Sequence, residues 1–289
     1  MVAPQRAAGA KFLMSEGLSV RRACWIACVS TAEPYREPAP DKDAELRDKL
    51  RSTWRPNMGY RMAHALVRDA FAPLNVKRVH RIWKEEKLGR MKRYRKKRTG
   101  QSVPVKAEYP NHVWCVDFCF DTCMNGTKLK ILAIKDEFTR ECLALEVGTR
   151  LRSRDVQRVL RDCFEIYGAP EFLRSDNGSE FIARTLAVFL SQSGTRTHFI
   201  KPGSPWQNGF IESFNSRLRA ECLDVEVFYN LADAQMKLAI YRRYYNEERP
   251  HSSLGYRPPA VAARLLDSGR ATPSLHPTIS MTQSSENSS

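Results

Sequence analysis

Apolar and polar positions follow two rhythms along this chain, and the second half is the more regular. Val113–Phe120 (VWCVDFCF) is a short, nearly continuous apolar run, which predicts a buried strand. Asn125-Gly126 predicts a hairpin turn, with Leu129–Ile134 as the returning strand and Glu141–Val147 as a third. Val156, Val159, Leu160, Cys163, Phe164 and Tyr167 recur at helical spacing, and Gly168 and Pro170 end that helix. A strand at Phe172–Ser175 leads into the turn Asp176-Asn177-Gly178. A helix over Ser179–Gln192 and a strand over Thr195–Ile200 come next. The loop KPGSPWQNG then opens a last helix over Phe210–Cys222. The order β-β-β-α-β-α-β-α predicts an α/β fold with a mixed sheet.

The first half reads as short helices. One piece falls within residues 18–37, with Val20, Ala23, Cys24 and Ala27 on one face, and the Pro34–Pro40 stretch breaks it. Further helices are predicted over Asp41–Ser52, with Leu46 and Leu50 at i,i+4, and over Tyr60–Val67. After Pro73, residues Val76, Val79, Ile82 and Trp83 share a face of a helix ended by Gly89. Two short helices around a tight turn, the second bearing Lys77, Arg78 and Arg81, predict a helix-turn-helix-like DNA-binding region over 1–89. Simple helical packing is the alternative reading of that pattern. Residues 90–98, RMKRYRKKR, place seven basic side chains in nine positions. Within them Lys92, Arg93, Arg95, Lys96, Lys97 and Arg98 are expected to follow a phosphate backbone, the alternative being a solvated run of like charge. The expected division is therefore a helical region 1–89, a basic linker 90–105, an α/β core 106–265 and a disordered Ser/Thr-rich tail 266–289.

Composition narrows the class. The chain of 289 residues has 42% hydrophobic residues, enough for a real core. No uncharged apolar run approaches the ~20 residues of a membrane span, and the N-terminal residues have no apolar signal-peptide core. A soluble, intracellular protein is the expectation. The formal charge of +15 is unevenly placed. Residues 1–110 hold 25 Lys+Arg against 11 Asp+Glu, and the remainder 22 against 21. Charge concentrated in this way is the footprint of a polyphosphate partner. None of the eight cysteines forms a C-x-x-C pair. Cys115, Cys119 and Cys123 lie in and just beyond an apolar stretch and read as core packing rather than zinc ligation.

Three acids stand in chemically awkward places. Asp117 interrupts the apolar strand VWCVDFCF, where an unpaired charge costs several kcal/mol, about the price of a lost buried ion pair. Asp176 follows a strand, at the carboxyl end where open α/β sheets place their ligands. Glu212 begins the last helix and shares a stripe with Ser216 and Arg219, away from Ile211, Phe214 and Leu218. Three convergent carboxylates suit Mg²⁺ or Mn²⁺, and two such ions serve phosphoryl transfer. Taken singly, Asp176 also reads as a turn or cap residue and Glu212 as a solvated face.

Asp117, Asp176 and Glu212, with 35 residues between the last two, resemble the DDE triad of retroviral-integrase-like transposases. The surrounding words agree: Trp114-Cys115-Val116-Asp117, Asp136-Glu137-Phe138-Thr139-Arg140, Ser175-Asp176-Asn177-Gly178-Ser179-Glu180-Phe181 and Gln207-Asn208-Gly209-Phe210-Ile211-Glu212-Ser213-Phe214-Asn215. Arg219 matches the basic residue that follows the Glu, and the run from Tyr245 to Tyr256 (YNEERPHSSLGY) resembles a C-terminal motif of the same group. The chain thus resembles the OrfB product of the third insertion-sequence family. That resemblance implies an RNase H-like core, two Mg²⁺ or Mn²⁺ ions on Asp117, Asp176 and Glu212, and cleavage and strand transfer at element ends. It further implies DNA contacts by Arg219, Asn208 and Lys201, and inverted terminal repeats and target DNA as partners. An OrfA partner or frameshift fusion and a homo-oligomer on DNA are implied as well. Cys119 stands where Thr is common, and Trp206 where a polar residue is frequent. A non-catalytic DNA-binding derivative and a nuclease that hydrolyses without joining are the alternative functions.

Overall fold

A computed structural model describes residues 3–36, 40–89, 106–200 and 208–267. The basic run 90–98, Lys201, Trp206 and the tail from 268 lie outside the described residues. The chain divides into two compact units, Met1–Asp48 and Lys49–Ser289.

The first unit holds α1 (Ala3–Ser15) and α2 (Val20–Ala27), followed by a 3-10 turn at Glu33–Tyr35. Ala10, Ala23 and Cys24 are buried there. Nothing in the apolar spacing announces α1, because its Ala-rich sequence has no hydrophobic stripe. Helix α3 (Ala44–Thr53) follows, with Leu46 and Leu50 buried as their spacing predicts.

The second unit continues with α4 (Tyr60–Val67) and α5 (Val76–Glu85). Asn75 caps α5 by accepting a hydrogen bond from the Lys77 amide at 2.8 Å. Val79, Ile82 and Trp83 are buried, whereas Val76, expected on the same face, is exposed in the first turn.

Five strands follow: β1 (Val113–Thr122), β2 (Lys128–Asp136), β3 (Cys142–Gly148), β4 (Phe172–Ser175) and β5 (Arg196–Phe199). They form one sheet in the order β3-β2-β1-β4-β5. β1 and β3 pair antiparallel with β2, while β4 runs parallel to both β1 and β5. Gly126, at φ 80°, makes the β1–β2 hairpin turn in a conformation that suits glycine. This mixed α/β arrangement is the RNase H-like fold.

Strand alternation sends side chains to two helical layers. Trp114, Val116, Leu132 and Ile134 pack in one core with Val156, Val159 and Leu160 of α6 (Ser153–Tyr167) and Leu186 and Leu190 of α7 (Arg184–Gln192). Cys115, Ile131 and Ala133 share the other core with Ile211, Phe214 and Leu218 of α8 (Gly209–Leu218) and Leu238, Tyr241 and Tyr245 of α9 (Leu231–Glu247). A short helix α10 (Pro259–Asp267) ends the described chain. All eight cysteines are free thiols, and Cys115 and Cys123 are buried.

Two boundaries differ from the sequence expectation. The helix expected from Ser179 starts at Arg184, because the turn after Asp176 first inserts Phe181 against Phe118, with ring centroids 5.2 Å apart. The helix expected to reach Cys222 ends at Leu218 and widens into a π turn, Arg219–Leu223. Contacts remote in sequence hold that turn: Asn57 Nδ2 donates to Ala220 O at 2.5 Å, and Arg249 grips Glu221.

Candidate active site

Asp117 lies in mid-β1 on the face that meets α8, flanked by Cys115 and Cys119. β1 and β4 pair with Cys115 opposite Arg174, so continuing the register two residues brings Asp117 level with Asp176. Neighbouring strands lie about 4.8 Å apart, so the topology brings the backbones of these two residues to neighbouring positions. Asp176 follows directly on β4, and its Oδ1 accepts from the Gly178 amide at 3.0 Å. A side chain at position 178 would place its Cβ 3.0 Å from that same oxygen, which accounts for glycine there. Glu212 enters from the first turn of α8.

The electrostatics of Asp117 show that the three acids share one field. Burial pushes its carboxyl up to about 6, against the pull of the Phe118 amide. The charges of Asp176 and Glu212 push it further in the same direction, and the hydrogen bond from Asn215 opposes them. Asp117 Oδ1 accepts from Phe118 N at 2.8 Å, and Oδ2 accepts from Asn215 Nδ2 at 2.8 Å. Carboxylate oxygens are the donors that hard divalent cations prefer, and cations placed among these acids would offset the repulsion felt by Asp117. As placed, the side chains are not gathered into a ligand cluster: among the described residues no three acidic, His or Cys side chains stand close enough to hold an ion.

Helix α8 is laid along β1 by a series of polar contacts. Asn208, at its N-terminus, is buried and donates to Val116 O at 3.4 Å, while its own Oδ1 has no partner among the described residues. Arg219, half exposed just beyond α8, donates to Phe120 O at 2.8 Å and lies 3.7 Å from Asp224. Both residues therefore have structural partners at the site, whatever they do with DNA. Asn215, which the spacing argument passed over, donates a side-chain hydrogen bond to Asp117. Its only sequence signal is its place in the Phe210–Asn215 word, one turn beyond Glu212.

Lys77, Arg78 and Arg81 are exposed on α5, opposite its buried face, and Arg81 also pairs with Glu85 at 2.8 Å. They belong to a different surface element from the carboxylates. Behind the site lies a buried polar layer. Arg174 and Glu137 form a fully buried pair, and Arg249 pairs with Glu221 at 2.6 Å. Burial, reinforced by the nearby cations Arg249 and Lys135, holds the His251 imidazole down to about 2.

Comparison with known proteins gives the family. The family described as Integrase core domain matches residues 107–205, and a second family of the same description matches residues 193–259. The 39.2 kDa uncharacterized protein of insertion element IS476 from Xanthomonas euvesicatoria is 38% identical over 270 residues, 91% of this chain and 78% of that protein. Transposase InsD for insertion element IS2 from Escherichia coli is 30% identical over 218 residues, 71% of this chain and 72% of that protein. Among solved structures, the catalytic core domain of HTLV-2 integrase in complex with magnesium (trimeric form) is similar at a TM-score of 0.42 and 14% identity, over 53% of this chain and 97% of that one. With an integrase core and relatives of this identity and coverage, the chain belongs to the bacterial insertion-sequence transposases of the third family, and it is a DNA transposase of the integrase type.

Proposed function

We propose that this transposase cuts DNA at the ends of its element and joins the freed 3′-hydroxyl to a second phosphodiester, using Asp117, Asp176 and Glu212 with two Mg²⁺ or Mn²⁺ ions. The observation that carries the proposal is the shared field of the three acids. Asp117 comes from β1, Asp176 directly follows the adjacent parallel strand β4, and Glu212 comes from the first turn of the helix packed on β1. When bound, the divalent ions supply positive charge to the attacking and leaving oxygens of the phosphoryl transfer.

The chain's own residues do the rest. Asn215 and the Phe118 amide fix the orientation of the Asp117 carboxylate, and the Gly178 amide fixes Asp176. In the cut, a water oxygen bonds to phosphorus, the P–O3′ bond breaks, and the 3′-oxygen leaves as a hydroxyl. In the join, that hydroxyl loses its proton to the site and its oxygen bonds to a target phosphorus, releasing a second 3′-hydroxyl. Arg219, Asn208 and Lys201 would contact the DNA near the site. Lys77, Arg78 and Arg81, with the basic run Lys92–Arg98, would follow its backbone.

The working form in this proposal is a homo-oligomer on paired element ends, acting with an OrfA product or fused to it. Among the described residues no helix is long and apolar enough to cross a membrane.

A strand-transfer assay with labelled terminal repeats and Mg²⁺, run with and without OrfA, tests this reading. Joined product should form with the wild type and vanish in Asp117→Asn, Asp176→Asn and Glu212→Gln. Hydrolysis without joining would replace the proposal with a nuclease. Ends bound but never cut, with OrfA present, would replace it with a DNA-binding regulator.

A further inference from the structure

Phe120 is 60% exposed on a strand whose neighbouring aromatic side chain, Phe118, is packed away against Phe181. A solitary surface Phe is ordinary. The surroundings of this one are not. It lies three residues beyond Asp117 on the same strand, about 10 Å along it, and alternation puts its side chain on the opposite face of the sheet, so a strand must cross the β1 edge to reach both. The pairing of β1 with β4 covers only Val113–Cys115, so β4 does not shield this part of the β1 edge. Arg219 fixes the backbone from the side by holding Phe120 O at 2.8 Å. From the other side Lys130, directly opposite Phe120 in the β1–β2 register, sets its ammonium 6.0 Å from the Phe120 ring and 4.0 Å from that of Phe118. Lys130 is itself anchored by Glu180 and by Leu151 O, so the ring sits on a held support. Glu180 in turn belongs to the loop that presents Asp176.

We propose that Phe120 is an aromatic platform that stacks an unpaired base of the DNA strand flanking the carboxylate site. Bases inside a duplex are covered by their neighbours, so a strand drawn across the β1 edge exposes the base next to the reacting phosphate. An exposed ring is the surface that receives it without regard to sequence. The inference rests on the proposed catalytic use of Asp117, Asp176 and Glu212, because that reading brings the strand to this edge.

The test uses the full-length protein and a forked DNA duplex whose unpaired strand carries 2-aminopurine near the fork. The wild type should quench that fluorophore and bind the fork more tightly than a blunt duplex. Phe120→Ala should lose the quench and weaken fork binding by roughly 5- to 150-fold, the range expected for one base–aromatic stack. Blunt-duplex affinity and the melting temperature should not move, and Phe120→Tyr should restore both quench and fork affinity. A wild type that joins ends, beside a Phe120→Ala variant with unaltered quench and fork affinity, overturns the platform and leaves the catalytic reading standing. A wild type that quenches but never cuts overturns the catalytic reading and leaves the platform.

Discussion

Asn215 Nδ2 donates to Asp117 Oδ2 at 2.8 Å, across 98 residues of sequence, and thereby ties α8 to the central strand at the carboxylate site. The bond favours the ionised form of a carboxyl that burial and two neighbouring acids disfavour. Groups that orient a ligand carboxylate in this way cost about 10- to 100-fold in metal affinity or activity when removed. Asn215→Ala should therefore shift the Mg²⁺ dependence of end cleavage to higher concentration by roughly that factor. Asn215→Asp, which adds a fourth negative charge, should be worse than Ala. Equal Mg²⁺ dependence in wild type and Asn215→Ala would show that the contact does not matter to the site.

Arg249 holds Glu221 through two hydrogen bonds, Nε to Oε2 at 2.7 Å and Nη2 to Oε1 at 2.6 Å, and both side chains are buried. Removing one partner strands the other charge away from water, which costs about 3–5 kcal/mol. Arg249→Met should lower stability in urea by that order, and Arg249→Lys should recover only part of it, since an ammonium lacks the two-pronged geometry. The double change Arg249→Met with Glu221→Met should be more stable than Arg249→Met alone, because no charge is left uncompensated. A double variant no better than the single one would mean that the pair acts through packing rather than charge.

The sheet was legible because its strands are short apolar runs separated by turn residues, and Asp117 stood out because strand interiors exclude unpaired acids. The helices around the site were less legible, each for a separate reason. Helix α9 buries Leu238, Tyr241 and Tyr245 but leaves Met236 and Ile240 exposed, so its apolar residues do not resolve into one stripe. The π turn after α8 depends on Asn57 and Arg249, which are remote in sequence, and no local propensity encodes it. Asn215 reads locally as a surface residue, and only the fold turns it toward Asp117.

The basic residues concentrated before the catalytic core should set the salt dependence of DNA binding. Each phosphate neutralised by a Lys or Arg adds about 0.9 to the slope of log affinity against log salt. Replacing Lys92, Arg93, Arg95, Lys96, Lys97 and Arg98 by Gln should flatten that slope by up to about 5. Binding measured between low and physiological salt gives the answer directly, and an unchanged slope would return the run to a solvated linker.

His251 offers a pH test away from the carboxylates. Its ring is buried edge-on against Tyr245, with centroids 4.7 Å apart, and its Nε2 lies 3.5 Å from Arg249 Nη1. Burial comes first among the causes that hold its pKa down to about 2, followed by the charges of Arg249, Lys135, Arg217 and Arg140. The folded protein therefore keeps this imidazole neutral, whereas the unfolded chain takes up a proton below the ordinary histidine value of about 6.5. Stability contributed by this group is present above that pH and is lost as pH falls, by about 1.4 kcal/mol per unit. Asp117 and Glu137, both raised to about 6, act in the opposite sense and mask part of the overall slope. The comparison must accordingly be made between variants. Urea unfolding of wild type and His251→Gln at pH 7.5 and pH 5.5 should show the wild type losing about 1–1.5 kcal/mol more over that interval. Parallel losses in the two proteins would mean that His251 takes up its proton while the fold stays closed, and that the cationic layer behind the active site is more open than its burial indicates.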